Sequence, residues 1–203
     1  YYIVFWGVLS LFSVFWAWKQ KNIGFTDMER AWINGPGRTT HIIRWGTLIR
    51  YFSTHNDAAS YGIAIASTAV AYLIFALTNK IKKYRYFFLI TGLACTWGMF
   101  PSGTRTAIIC FFAGIATFAF LSKSAKLTAL VSSLFAICLF LLVFTDIGNG
   151  NDSIKRMRSA FDKNDASMNV RDINKASIKK YIQEAPWGIG IGMMRDDVPA
   201  NNK

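Results

Sequence analysis

The sequence is poor in the side chains that bind metals and form disulfide frameworks. Its 203 residues include 3 cysteines, 2 histidines and 11 acidic residues, against 23 lysines and arginines. Cys95, Cys110 and Cys138 are an odd number, form no CxxC pair and lie inside apolar runs, which argues against disulfides and against a zinc site. No cluster of carboxylates suggests another metal. We therefore expect no metal and no cofactor, and we interpret the cysteines as packing residues.

The sequence is rich in apolar surface and positive charge. Hydrophobic residues make up 53% of the chain, aromatic residues 16%, the mean hydropathy is +0.27 and the formal net charge is +12. This combination is more apolar than a usual soluble domain and is typical of a membrane protein with basic loops. The first apolar run has no basic leader and no small-residue cleavage site, so a membrane span is favoured over a signal peptide. The chain starts without Met and ends without a terminal signal, so we expect a piece of a longer protein.

Apolar runs predict an all-α, polytopic membrane protein with about five spans. The runs cover residues 2–18, 57–78, 86–100, 106–121 and 127–144. The transmembrane region is then 1–148, including an outer loop at 19–56, and a truncated periplasmic segment with an amphipathic helix follows at 149–203. The second run is rich in Ala, Ser and Gly, which favours close packing against other membrane helices.

The termini of these runs carry turn and cap signals. Asn56 or Asp57 is the expected N-cap of the second run. Pro101 and Gly103 favour a sharp turn between the third and fourth runs.

The short loops suggest an orientation in the membrane. Two of them are basic, with Lys80, Lys82, Lys83 and Arg85 in one and Lys123 and Lys126 in the other. They share one side if the spans alternate, and the positive-inside rule makes that side cytoplasmic. The opposite, outer segments are basic as well, which indicates an anionic partner.

Arg105 is the most informative single residue, because it lies at the membrane edge between two apolar runs. An ionisable group there is costly unless it is paired or functional. The planar fork of its guanidinium suits a phosphate. The alternative is an interfacial arginine that anchors the helix end by snorkelling.

A basic amphipathic helix is predicted at about 169–184. Its basic face has Arg171, Lys175 and Lys179 at steps of four residues, and an imperfect apolar side is supplied by Ile173, Ala176, Ile178 and Ile182. Pro186 is expected to end it. We interpret it as a helix on the outer membrane surface or over a cavity between spans; the alternative is a solvated basic face.

Two further features are interpreted structurally. The alternating glycines of Gly188–Gly192 follow a helix and a proline, whereas a dinucleotide-binding loop needs a preceding strand. Tight backbone packing is the favoured role. Of the two histidines, His55 precedes Asn56 and Asp57 at the start of the second run, and we favour a loop or capping role for it over a general base.

Taken in order, three stretches resemble the O-antigen ligase and O-antigen polymerase superfamily of bacterial envelope glycan transferases. These stretches are "RYFSTHNDAASYGIAIA", the helical pair joined at "SGTR", and "VRDINKASIKKYIQEAPWGIGIG" in the polar segment. The resemblance covers most of residues 44–192. It departs from the family pattern in "SGTR" where "SRG" is typical, and in Lys175 and Ala176 where an aromatic residue is common.

The resemblance implies a multi-pass protein of the bacterial inner membrane that transfers a glycan from an undecaprenyl-diphosphate carrier to an acceptor hydroxyl, such as a sugar of the lipid A core. Arg105 and Arg171 would bind the donor diphosphate, with Arg50, Asn56 and Lys175 as secondary candidates. The family's catalytic His is expected beyond Lys203, so no catalytic residue is assigned within the chain, which is expected to be inactive by itself. Partners are the lipid-linked donor, the acceptor and membrane lipids, and no nucleic acid.

Other functions remain open at this point. A polymerase of the same superfamily would use the same donor and a different acceptor. A multi-span transporter for an anionic solute would place Arg105 on a permeation path. A membrane scaffold without enzymatic activity would make the outer arginines dispensable.

Overall fold

The computed structural model describes residues 1–35, 42–44 and 48–122 continuously, and single or paired residues further on: 129, 132–133, 136–137, 140, 144–145, 172–173, 175–176, 178–179, 182–183 and 187. The described protein is mostly helical, which confirms the predicted class at that level. The chain divides into two compact units, Tyr1–Arg158 and Ser159–Lys203.

In the continuously described ranges the chain forms five α-helices. They are α1 (Tyr2–Asn22), α2 (Asp27–Ile33), α3 (Ala58–Thr78), α4 (Lys82–Gly98) and α5 (Arg105–Leu121). A 3-10 turn, Phe100–Ser102, joins α4 to α5. Between α2 and α3, the two-residue strands β1 (Ile43–Arg44) and β2 (Leu48–Ile49) pair antiparallel, with Ile43 opposite Ile49.

Two of these helices are long and apolar enough to cross a membrane. Helices α1 and α3 each have 21 residues, and the most apolar windows within them have mean hydropathies of 1.4 and 1.8. Helix α5 is apolar but has 17 residues. The described residues therefore support two of the expected spans by length and composition. The predicted fifth run, 127–144, lies mostly outside the described residues.

The third apolar run, 86–100, and the helix that overlaps it have different ends. Helix α4 begins at Lys82 rather than Tyr86, and it ends at Gly98, before the 3-10 turn. Its first turn contains Lys82, Lys83 and Arg85, which hydropathy assigned to the loop. Helical hydrogen bonding tolerates lysine and arginine well, so charge does not mark the end of a helix.

The four long helices alternate in direction. Gly7 of α1 packs against Phe87 of α4, and Gly98 of α4 packs against Val14 of α1, so these two helices run parallel. At the other side of the bundle, Gly114 of α5 packs against Val70 of α3. The bundle thus has two ends: the "site end", formed by residues 19–35, 48–57 and 99–105, and the "lysine end", formed by residues 78–85.

The core lies between α3 and its neighbours. Its buried side chains are Val14, Ala17, Tyr61, Ile65, Ala66, Ala69, Val70, Cys95, Met99, Ala107 and Phe111. The many alanines bring the backbones of neighbouring helices close together, as the composition of the second run predicted.

Candidate anion-binding site

Hydrogen bonds from Arg50 link the segment before α3 to the turn between α4 and α5. Its Nε donates a hydrogen bond to the carbonyl of Ser102 (3.1 Å), and its Nη2 donates to Oγ1 of Thr104 (2.9 Å). The neighbouring Tyr51 N–H donates to the carbonyl of Pro101 (3.2 Å). The half-buried Arg50 guanidinium is therefore held against the residue that immediately precedes Arg105.

The same turn is also hydrogen-bonded to the beginning of α3. Thr104 Oγ1 donates to the carbonyl of Ala58 (3.1 Å), and the backbone N–H of Thr104 donates to Ser102 Oγ (3.2 Å). A Cβ at Gly62 would clash with Ser102 Oγ and crowd Thr104, so glycine suits this close approach. Gly103 supplies the turn itself, with a left-handed φ of 56°. The predicted role of Gly103 is thereby confirmed.

Arg105 is the first residue of α5, and its side chain is half-buried. The first turn of this helix contains no acidic residue, and Thr104 makes no side-chain hydrogen bond as its N-cap. The positive end of the helix dipole and the arginine charge therefore coincide, and both favour an anion.

Asp57 caps α3, as one of the two predicted candidates. Its carboxylate accepts the N–H groups of Ala59 (2.6 Å) and Ser60 (2.9 Å). Burial disfavours its charge, but hydrogen bonds from Ser60 and Ala59 and the charge of Arg50 outweigh burial and hold its pKa below the usual range. Asn56, the other candidate, is exposed beside it.

His55 is half-buried beside the first turn of α3. Its ring contacts Tyr61 edge-on, with 5.5 Å between centroids, and its buried Nδ1 has no hydrogen-bond partner among the described residues. Burial lowers the pKa of the imidazole, while the nearby Asp57 carboxylate raises it by less.

A buried polar network ties α1 to the same segment, centred on Ser53. This residue has a left-handed φ of 53°, which is costly for a residue other than glycine. Its Oγ donates to the carbonyl of Ser13 (2.6 Å), and its N–H donates to Gln20 Oε1 (2.9 Å). Gln20 Nε2 donates in turn to the Ser53 carbonyl (3.1 Å) and to Glu29 of α2 (2.6 Å). The conformation of the residues before α3 is thus fixed by side chains of α1.

Sequence reasoning missed this network. Gln20, Ser53 and Ser102 are buried polar residues whose partners are distant in sequence. The available signal was Gln20 itself, an amide close to the end of a strongly apolar run.

Three of the five predicted binding residues lie at the site end: Arg105, Arg50 and Asn56. Lys175 is exposed and helical in the second unit, and Arg171 lies outside the described residues. In the described part of the chain, no group of three or more His, Cys, Asp or Glu side chains is placed to bind a metal ion.

Comparison of the chain with protein-family models, curated proteins and solved structures gives no match.

Proposed function

We propose that this chain is part of a multi-pass transferase of the bacterial inner membrane, which moves a glycan from undecaprenyl diphosphate to an acceptor hydroxyl of the lipid A core. This proposal includes about five membrane spans. Length and composition support two of them among the described residues. The observation that carries it is the half-buried Arg105 at the N-terminus of α5, at the end of an apolar bundle.

The chemistry of such a donor matches this placement. A lipid-linked diphosphate presents its anionic head at the membrane surface and its tail among the apolar helices. Arg105 and the dipole of α5 supply positive charge at that level, and Arg50 adds to the positive potential while its hydrogen bonds hold the adjacent turn. Arg171 is the second proposed ligand of the diphosphate.

These arginines would act mainly on the leaving group. In the transfer, the acceptor oxygen forms a bond to the anomeric carbon, the bond from that carbon to the phosphate oxygen breaks, and the diphosphate keeps the electron pair. Charge builds up on the diphosphate in the transition state, where fixed guanidinium donors stabilise it. The proton of the acceptor hydroxyl passes to a base, which we expect beyond Lys203.

Two other functions share parts of this site. An O-antigen polymerase would bind the same donor and differ in its acceptor. An anion transporter would also use Arg105, but it would move a soluble anion across the membrane without retaining the lipid carrier.

The test is retention of labelled undecaprenyl-diphosphate-linked glycan by the purified chain in nanodiscs. We expect Arg105→Ala to weaken binding by about tenfold to a hundredfold, the effect of one or two hydrogen bonds to a charged group. Arg105→Lys should fail nearly as badly, because a point charge does not reproduce the planar fork.

The matched control is Arg85→Ala, an exposed arginine in the first turn of α4 at the lysine end. It should bind the donor like the parent chain. Full retention of the donor by a well-folded Arg105→Lys chain would overturn the assignment. Flux of a soluble anion that depends on Arg105, without donor retention, would favour the transporter instead.

A further inference from the structure

The residues just before α3 hold a histidine at the same end of the bundle as the proposed diphosphate site. Asp57, two residues after His55, caps α3, and the adjacent Ala58 carbonyl accepts the hydroxyl of Thr104, the neighbour of Arg105. His55 therefore belongs to the same end of α3 and α5 as Arg105.

Hydrogen bonds to α1 hold the backbone of Ser53, two residues before His55, in a strained conformation. Ser53 adopts its left-handed φ while its backbone N–H, its carbonyl and its hydroxyl are all hydrogen-bonded to α1. A strained and fully hydrogen-bonded residue persists where the surrounding structure requires that conformation, and such residues cluster at functional sites. His55 N–H donates to the carbonyl of Phe52 (3.0 Å), which closes the turn.

The surroundings of the imidazole select one of its tautomers. Nδ1 is buried, and the described residues offer it no partner. A proton on Nδ1 would be a buried, unsatisfied donor, and buried N–H groups without acceptors are the rarer case in folded proteins. Burial disfavours a charged ring, and the nearby Asp57 carboxylate offsets only part of that effect on its pKa. The neutral ring with its proton on Nε2 is the form that this environment favours.

We propose that His55 is a further ligand-binding residue, which donates a hydrogen bond from Nε2 to an oxygen of the head group of the lipid-linked donor. This inference rests on the proposed function. It adds a neutral, directional donor to the charge supplied by Arg105. A hydrogen bond of this kind fixes the orientation of the head group more than a further charge would.

Asparagine and glutamine separate the two ring nitrogens, since the amide of Asn resembles Nδ1 and the amide of Gln resembles Nε2. In the nanodisc assay with labelled undecaprenyl-diphosphate-linked glycan, we expect His55→Ala and His55→Asn to bind about tenfold more weakly, and His55→Gln to stay within about threefold of the parent chain. Comparison of the carrier with and without its glycan tells whether the accepting oxygen belongs to the phosphate or to the sugar. A deficit of equal size on both carriers means the phosphate, and a deficit seen only with the glycan means the sugar.

A spectroscopic measurement keeps the inference testable if a variant misfolds. The chain has two histidines, so a His41→Gln chain labelled with ¹⁵N at histidine reports on His55 alone. We expect the neutral form with the proton on Nε2, and a shift of the Nε2 resonance with the undecaprenyl-diphosphate-linked glycan but not with undecaprenol. A proton on Nδ1, or a resonance that the lipid-linked glycan leaves unchanged, would overturn the role of His55.

The two proposals fail in different ways. Normal binding by the His55 variants, together with weak binding by Arg105→Ala, removes only His55 from the site. Normal binding by both sets of variants removes the donor site as a whole.

Discussion

The two ends of the bundle are held together by different forces. Next to the lysine end, in the adjoining turns of α3 and α4, aromatic rings surround Phe88, with centroid distances of 5.8 Å to Tyr72, 5.7 Å to Phe75 and 6.3 Å to Tyr84. At the site end, buried hydroxyls, amides and a guanidinium join α1, α3 and the turn between α4 and α5.

This difference matters because the two kinds of contact constrain a structure differently. Aromatic packing gives stability roughly in proportion to buried area, and it accommodates both stacked and edge-to-face ring arrangements. Hydrogen bonds are directional, and a buried polar group that loses its partner costs about 1–3 kcal/mol. Packing near the lysine end therefore contributes mainly to stability. The hydrogen bonds at the site end also fix the positions of individual polar groups.

The largest expected effect concerns the side of the membrane on which each end lies. In a chain without native cysteines, Met28→Cys in α2 and Lys82→Cys in α4 place single thiols at exposed positions of the two ends. Because the basic loop is expected in the cytoplasm, an impermeant thiol reagent should label the Met28→Cys chain in intact spheroplasts. It should label the Lys82→Cys chain only after the membrane is opened. The reverse pattern would put the site end in the cytoplasm and remove the periplasmic donor from the proposal.

An intermediate effect is expected from removing the amide that links α1 to Ser53. Gln20→Leu leaves the N–H and the carbonyl of Ser53 without these partners, and the free energy of unfolding should fall by about 1–3 kcal/mol. Denaturant titration in detergent micelles measures this change.

The control for Gln20→Leu is Asn22→Leu on the same helix. Asn22 is exposed and donates a local hydrogen bond to the carbonyl of Trp18. It should change the free energy of unfolding by less than about 0.5 kcal/mol. Equal effects of the two substitutions would show that the buried network at the site end contributes no more to stability than an exposed local hydrogen bond.

The smallest effect is a dependence of stability on pH through Glu29. Burial disfavours its carboxylate, but hydrogen bonds from Gln20, Thr26 and Trp16 more than offset burial and lower its pKa from 4.5 to about 2. The folded state therefore binds this proton less readily than the unfolded state. The resulting stability is fully present above pH 4.5 and is lost as the pH falls towards 2.

Thermal unfolding between these pH values measures the effect of Glu29. An Asp57→Asn background removes a second carboxyl whose pKa is lowered. In that background, Glu29→Gln should flatten the decline of stability with acid, whereas Asp27→Asn, an exposed carboxylate in the same helix, should leave the decline in place. An unchanged slope after Glu29→Gln would mean that the network at the site end does not depend on this charge.

Much of the helical framework could be predicted from local sequence. The second apolar run was expected at 57–78, and α3 covers Ala58–Thr78 with Asp57 as its cap. The turn at Gly103 was also expected. These features depend on short-range properties, namely apolar length, a carboxylate one residue before a helix, and a glycine that adopts positive φ at little cost.

The internal structure of the site was beyond the reach of local patterns. Arg105 was identified because a charge between apolar runs is unusual, and Arg50 was predicted only as a secondary candidate implied by the family resemblance. Their relation depends on Thr104, which accepts a hydrogen bond from Arg50 and donates one to Ala58, residues 54 and 46 positions away.

The sequence by itself determined the kind of protein: a basic, mostly helical chain with apolar segments of membrane-spanning length and an arginine at the edge of one of them. Hydropathy, charge and helix caps act over one to a few turns, so they can be read in order along the chain. Tertiary structure decided which polar groups meet at the site end, how Ser53 is held in its strained conformation, and that His55 buries one ring nitrogen there. Those outcomes depend on hydrogen bonds between residues 33 to 54 positions apart, which form only after the helices have packed.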